Sequence, residues 1–263
     1  MRAVLLFLLG CTGATPEPPA VVDTSDTPPV VEDTDTVVAP EETSDTADDS
    51  AGDDTGWPEA ADGYGTLTGD CGALRFVDLG TAVPQLRRNV IDFEDEAFDV
   101  SLLSAEGRTV AETPNRGGTS TASEAISFEV LRRCEAATLL ETEADILYED
   151  PNGKKTDILV DIDGGVVGVS VTRAFVFPPG TPMSAERATE QLTDKLGDAV
   201  LADANVADSH TWSRHILHVI AFDAQHADAM SAAWQELHDT VGGDTLVLIT
   251  VTEGDDGFLY NLD

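Results

Sequence analysis

For some twenty residues in the middle of this chain, apolar and polar side chains alternate with a period of two. Residues 155–174 read KTDILVDIDGGVVGVSVTRA. In the first half, Ile158, Val160 and Ile162 point one way, and Asp157, Leu159 and Asp161 the other. In the second half, Val167, Val169 and Val171 share one face, and Gly168, Ser170 and Thr172 the opposite one. An amphipathic helix repeats every 3.6 residues, so this stretch is read as two strands. Gly164-Gly165 between them predicts a turn and antiparallel pairing. Two strands with an apolar face need other elements to cover that face.

The flanking sequence supplies them. Residues 119–137 are helix-like, with Ser120 or Thr121 as cap and Glu124 three residues after Thr121. ATLLETEADILYED contains a strand, and PNGKK is a polar turn. After the breaker FPPGTPMS, Ser184 caps a helix in which Ala188, Leu192, Leu196 and Val200 recur at four-residue spacing. RHILHVIAFD is a strand, QHADAMSAAWQELHDTV a helix and DTLVLITVTEG a last strand. From Thr119 the order is α-β-β-β-α-β-α-β. This predicts an α/β domain, with α+β the neighbouring class, built on a mixed central sheet flanked by helices. LRFVDL and FDVSLLSAE read as short strands, and RTVAETPNRGGTST as an exposed loop. Residues 64–263 form one domain by size, with the core at about 119–250.

The chain before residue 64 has a different composition. Residues 12–63 hold 15 acidic residues, no Lys or Arg and one aromatic, Trp57. Repeated prolines and like charges cannot bury enough apolar surface to offset the entropy of ordering, so this is a spacer. The whole chain carries a formal charge of −36, of which the spacer accounts for −15; without Arg2, −22 remains for residues 64–263. Nucleic-acid footprints are basic, so a general DNA or RNA binder is disfavoured.

Ahead of the spacer, Arg2 precedes the six apolar residues Val4 to Leu9, too few to span a bilayer. The string Leu8-Leu9-Gly10-Cys11 resembles the lipobox of bacterial lipoproteins. The resemblance implies that residues 1–10 are a signal peptide and that Cys11 becomes a lipidated N-terminus. Residues 11–63 are then a tether to a membrane. Thr12 in second place of the mature chain implies an outer-membrane destination in a two-membrane cell envelope, where an envelope protein is the natural partner. With Cys11 acylated, Cys71 and Cys134 are left. In an exported chain they form a disulfide; two buried free thiols is the other reading. Their spacing fits no zinc motif.

The block KTDILVDIDGGVVGVSVTRA, with a helix before and after, resembles the PD-(D/E)xK, or restriction-endonuclease-like, superfamily. That resemblance implies a core order α-β-β-β-α-β and two carboxylates that hold Mg²⁺, with a lysine beside the attacked phosphate. Asp157 falls at the first acid position. Ser170 stands at the second acid position and Thr172 at the lysine position. Arg173 is adjacent but belongs to the other face. Glu129, with Glu124 as alternative, falls where some members carry a helix carboxylate. Asp157 and Asp161 are the rearranged pair that would serve as metal ligands. Mg²⁺ is the one cofactor this chemistry requires, and only if a divergent phosphodiester hydrolase survives. A neutral hydroxyl for the acid and none for the cation predicts a domain without that catalysis. The strings GVSVTRAF and WSRHILHVIAF are also similar to an uncharacterised family, in which Ser170, Thr172 and Arg173 would form a site of their own.

His215 and His218 are three apart on a strand and face opposite ways, so they cannot chelate one ion. His210 is placed to approach His215, while His226 and His238 fall in or beside a helix. Trp212 and Trp234 are read as packing residues. Asp163-Gly164 and Asp255-Asp256 lie in acidic turns without Ca²⁺-loop spacing. No GxSxG, HExxH, Walker or CxxC string occurs. The sequence reading is a non-enzymatic envelope lipoprotein that uses an α/β domain for binding or structure.

Overall fold

The hairpin read from alternation is present in the structure, a computed structural model that describes residues 61–72, 74, 85–114, 120–241 and 245–262. The leader, Cys11 and the spacer up to residue 60 lie outside the described residues, as does LRFVDL apart from Leu74. Strands β4 (Ile158–Ile162) and β5 (Gly165–Ala174) pair antiparallel, with Ile162 opposite Gly165. The turn is one residue earlier than Gly164-Gly165. Asp163 and Gly164 occupy it at φ of 54° and 83°. A two-residue hairpin loop matched to strand twist needs positive φ at both positions, which Asp-Gly tolerates.

These strands belong to a seven-stranded mixed sheet of order β1-β2-β7-β6-β5-β4-β3. The other strands are β1 (Thr66–Gly69), β2 (Leu86–Asp92), β3 (Thr138–Thr142), β6 (Arg214–Ala221) and β7 (Leu246–Glu253). β2, β7, β6 and β5 run parallel, and β1, β4 and β3 add antiparallel pairs at the two edges. The helices are α1 (Ala105–Glu112), α2 (Thr121–Glu135), α3 (Ala185–Asn205), α4 (Ala224–Leu237) and the single turn α5 (Gly257–Tyr260). Among the described residues, no helix is long and apolar enough to cross a membrane.

Each sheet face has its own core. Ile158, Val160, Val167, Val169, Ile216 and Leu248 pack with α1, α2 and α5. Ala174, Leu217, Val219, Val247 and Ile249 pack with α3 and α4. Burying both faces is what parallel strands demand. The first core is crossed by a polar chain. The Nδ1 of His218 lies 2.7 Å from Ser127 Oγ of α2, and its Nε2 lies 2.6 Å from Thr250 Oγ1. Thr250 Oγ1 in turn donates to Asn89 Oδ1 at 2.6 Å. Burial holds the His218 imidazole neutral, its pKa depressed to about 3.

Several local expectations change. FDVSLLSAE is no strand and RTVAE no loop. A 3-10 turn (Val100–Leu102) and α1 replace them. Asp99 accepts from Ser101 N at 2.8 Å, and Ser104 Oγ accepts from Gly107 N at 2.9 Å. Two side-chain caps thus override a weak period-two pattern. β2 carries Arg87, Arg88 and Asn89 and has no strand-like alternation; its pairing with β7 decides it. At α2, Ser120 does not cap; its Oγ donates to Glu124 Oε1 at 2.7 Å. In α3, Ala188, Leu192 and Leu196 are buried but Val200 is 52% exposed. Each four-residue step over-rotates a 3.6-residue helix by about 40°, so Ala199 and Ala202 take over the buried face.

Residues 61–63, read as tether, are tied to the domain. Ala61 N donates to Arg133 O at 3.1 Å, and the Arg133 guanidinium donates to the carbonyls of Ala61, Tyr64 and Gly65. Cys71 and Cys134 are bonded, with Cα atoms 4.5 Å apart. Next to them the Glu135 carboxylate accepts from Gly72 N at 3.1 Å and Leu74 N at 2.7 Å.

Candidate functional site

Asp157 immediately precedes β4. Its N–H donates to Val169 O at 3.0 Å, and its Oδ2 accepts from Val171 N at 2.6 Å. Glu124 in the first turn of α2 and Glu143 after β3 lie beside it, with Val110, Thr113 and Pro114. The space these residues enclose is too tight for a water-sized sphere. Burial first, then the negative charge of Glu124, pushes the Asp157 carboxyl up to about 8. Glu143 adds to the rise, while the Val171 N–H and the Lys195 charge oppose it. At neutral pH this group is mostly the neutral acid, a poor ligand for a hard cation.

The other expected residues do not join it. Glu129 is 1% exposed, but its Oε1 accepts from Ser104 N at 2.8 Å and its Oε2 from Arg132 at 3.0 Å. It secures the start of α1 instead. Gly107 permits the approach, since a Cβ there would fall 2.2 Å from Glu129 Oε1. Glu124, the alternative, is therefore the helix carboxylate beside Asp157. Asp161 accepts from Gly164 N at 3.0 Å at the hairpin end. Four strand steps separate it from Asp157, about 13 Å, so the two cannot share an ion. Thr172 Oγ1 accepts from Gln191 Nε2 of α3 at 3.2 Å. Arg173 lies on the opposite face and donates to Leu259 O at 2.6 Å, holding α5. Ser170, Thr172 and Arg173 therefore do not form one site.

Ser170 enters a different constellation. Its Oγ lies 3.0 Å from His215 Nε2 on β6, and His215 Nδ1 lies 2.9 Å from Asp203 Oδ1 near the end of α3. Trp212 Nε1 donates to the same Asp203 oxygen. On the far side, Thr156 Oγ1 is 3.3 Å from Ser170 Oγ. The polarity of this chain follows from its ends. An indole N–H only donates and a carboxylate only accepts. Neutral His215 therefore carries its proton on Nδ1, leaving the Nε2 lone pair for the Ser170 hydroxyl proton. Thr156 must then donate to Ser170. His215 is 2% exposed, Ser170 is half-buried, and the Asp203 side chain is 41% exposed.

Three local features assemble the chain. Ser170 and His215 face the same side of neighbouring strands, where β5 and β6 pair with Gly168 opposite His215. A Cβ at Gly168 would lie 2.7 Å from the Trp212 ring, so only glycine lets that ring lie over the strand. Trp212 meets the His215 ring edge-on at 5.8 Å between centroids. A cavity of about 190 Å³ opens at this end, lined by Asp203, Val206, Trp212, Arg214 and His215 among others. A larger cavity of about 620 Å³ lies elsewhere, between the end of α2 and the hairpin turn.

Sequence reasoning singled out Ser170 for its place in the hairpin and His215 for its facing, but missed Asp203 and the connection among the three. His210 does not approach His215 in a shared hydrogen bond; its Nδ1 lies 2.8 Å from Ser209 Oγ. His226 is bound through Nδ1 to its helix cap Asp223 at 2.7 Å, and His238 Nδ1 lies 2.9 Å from Asp239 Oδ1 without hydrogen-bond geometry. Among the described residues, no group of three His, Cys, Asp or Glu side chains is arranged to hold a metal ion.

No protein-family model matches the chain, and no solved structure does. A Dictyostelium discoideum protein described as the AAC-rich mRNA clone AAC4 protein is 34% identical over 154 residues. The match covers 56% of this chain and 22% of that protein. The chain thus spans under a quarter of the relative it matches, and that description names no activity.

Proposed function

We propose that this chain is a cell-envelope lipoprotein, anchored through Cys11 to the outer membrane, whose α/β domain is a restriction-endonuclease-like scaffold that has lost metal-dependent cleavage and acts by binding. The lipobox string and the acidic spacer support the anchor. The element order from Thr121, the antiparallel β4–β5 hairpin and the packing of α2 on β5 support the scaffold. One observation carries the loss of cleavage: the hydroxyls at the second acid and lysine positions are bonded to His215 and Gln191, so neither position sets a carboxylate or a cation beside Asp157. A residual charge of −22 on residues 64–263 also repels a polyanion over about a Debye length, ~8 Å at physiological salt. The partner under this reading is a protein of the envelope.

The placement of Glu124 and Glu143 beside Asp157 favours a second reading, a divergent Mg²⁺-dependent phosphodiester hydrolase. One experiment separates the two. The purified chain is incubated with single- and double-stranded DNA and RNA in Mg²⁺ or Mn²⁺. The expected result is intact substrate. Metal-dependent cleavage that Asp157→Ala abolishes would establish the second reading.

A further inference from the structure

We propose that Ser170, His215 and Asp203 form a metal-free nucleophile, base and acid relay, and that Ser170 attacks small activated acyl esters. This goes beyond the reading above, which concerns metal-dependent phosphodiester cleavage and a binding role. The relay needs a serine hydroxyl within hydrogen-bond reach of an imidazole and a carboxylate on the imidazole's other nitrogen. Both spacings, 3.0 Å and 2.9 Å, meet that demand. The acceptor-only Asp203 carboxylate fixes the direction: Nδ1 donates to it, so the base presents its Nε2 lone pair to the hydroxyl. Asp203 is held by two donors and so orients the ring.

The chemistry balances without a cofactor. The Ser170 proton passes to His215 Nε2 as Oγ bonds to the acyl carbon. The tetrahedral adduct collapses, the bond to the leaving oxygen breaks, and that oxygen takes the proton from His215 Nε2. The product is an acyl ester on Ser170 and a free alcohol or phenol. Water then repeats the sequence: His215 takes its proton, hydroxide attacks the ester carbon, and the released acid leaves Ser170 with its proton restored. A small acyl group is specified because the serine is half-buried in the sheet face, between His215 and Thr156.

Two probes read the site directly, on the full chain. A fluorophosphonate should add once, on Ser170, identified by peptide mass mapping. p-Nitrophenyl acetate should release phenolate at a rate that rises with pH as one group deprotonates. The base contributes about 10²–10⁴-fold in such steps, so His215→Gln should slow both reactions at least 100-fold. Asp203→Asn keeps an oxygen acceptor for the Trp212 and His215 N–H groups but removes the negative charge that stabilises the imidazolium, so it should slow both reactions. Ser170→Ala should abolish the adduct. Far-UV circular dichroism of each variant separates loss of relay from loss of fold. No adduct on Ser170 in the wild-type chain would overturn the proposal. So would equal labelling rates in wild-type and folded Asp203→Asn protein. Neither result bears on the nuclease assay.

Discussion

Replacing Asp157 by Asn tests the electrostatics of the buried carboxyl ahead of β4. The Asn Oδ1 can still accept from Val171 N, so the substitution removes the titrating proton and leaves the hydrogen bond. In the unfolded chain an Asp carboxyl titrates near 3.9; in the fold, burial and Glu124 move it to about 8. Between these values the folded state keeps a proton that the unfolded state has lost. Stability therefore falls as pH rises from about 4 to about 8, and this contribution is flat on either side. Four units at 1.36 kcal/mol each set a ceiling of about 5 kcal/mol. Remaining contact with water reduces that to about 2–3 kcal/mol. Urea denaturation at several pH values is the assay. The variant should match wild type near pH 4 and exceed it by this amount at pH 8.5. Identical slopes for the two proteins across that window would refute the assignment of the raised group to Asp157. A large stabilisation of wild type alone by Mg²⁺ at pH 8.5 would refute the claim that this position is a poor cation ligand.

The disulfide closes a loop with a sequence separation of 63, so replacing both Cys71 and Cys134 by Ala should lower stability by about 4 kcal/mol, read as a shift in the urea midpoint. Reduction of the wild-type protein should give the same shift. Gly168→Ala places a methyl 2.7 Å from the Trp212 ring, and overpacking of this kind costs about 1–3 kcal/mol. The displaced ring should also change the chemical shift of the Trp212 indole N–H. For the anchor, mass spectrometry of membrane-bound protein should find residues 1–10 missing and acyl mass on Cys11; an unmodified Cys11 in a soluble mature chain would refute it.

The legible part of the fold was the part whose burial follows a local period. Ile158, Val160 and Ile162, or Ala188, Leu192 and Leu196, announce their strand and helix because one face is apolar and the other is not. β2 and α1 give no such signal. β2 takes its strand form from a full-length parallel partner more than 150 residues away, and α1 from its Ser104 cap and a tertiary contact of Ser104 with Glu129. The relay was hidden for a similar reason. Alternation places Ser170 and His215 each on a strand face, but their meeting depends on the parallel register of β5 with β6, which the length of an intervening helix and loop does not specify. Gly168 was the available sign. A glycine inside a strongly β-branched strand marks a close approach, and Trp212 is what approaches.

β6 sends one histidine to each face of the sheet, and the two are provided for differently. His218 is fully enclosed, bonded on both nitrogens to hydroxyls and given no carboxylate. With its pKa near 3 it cannot hold a second proton at neutral pH, so it serves as a fixed neutral link between α2, β6, β7 and β2. A buried chain of that kind restricts the core to one arrangement, because any slip leaves hydroxyls and an amide unpaired. His215 is enclosed to the same degree, yet it has Asp203 on Nδ1, and that carboxylate remains in contact with solvent. A carboxylate there adds little to positioning that a carbonyl could not supply, but it stabilises an imidazolium that forms and decays. Only the chain through His215 can therefore accept the Ser170 proton and give it back. Where a carboxylate would offer a metal ligand, Ser170 presents a hydroxyl that points at a base.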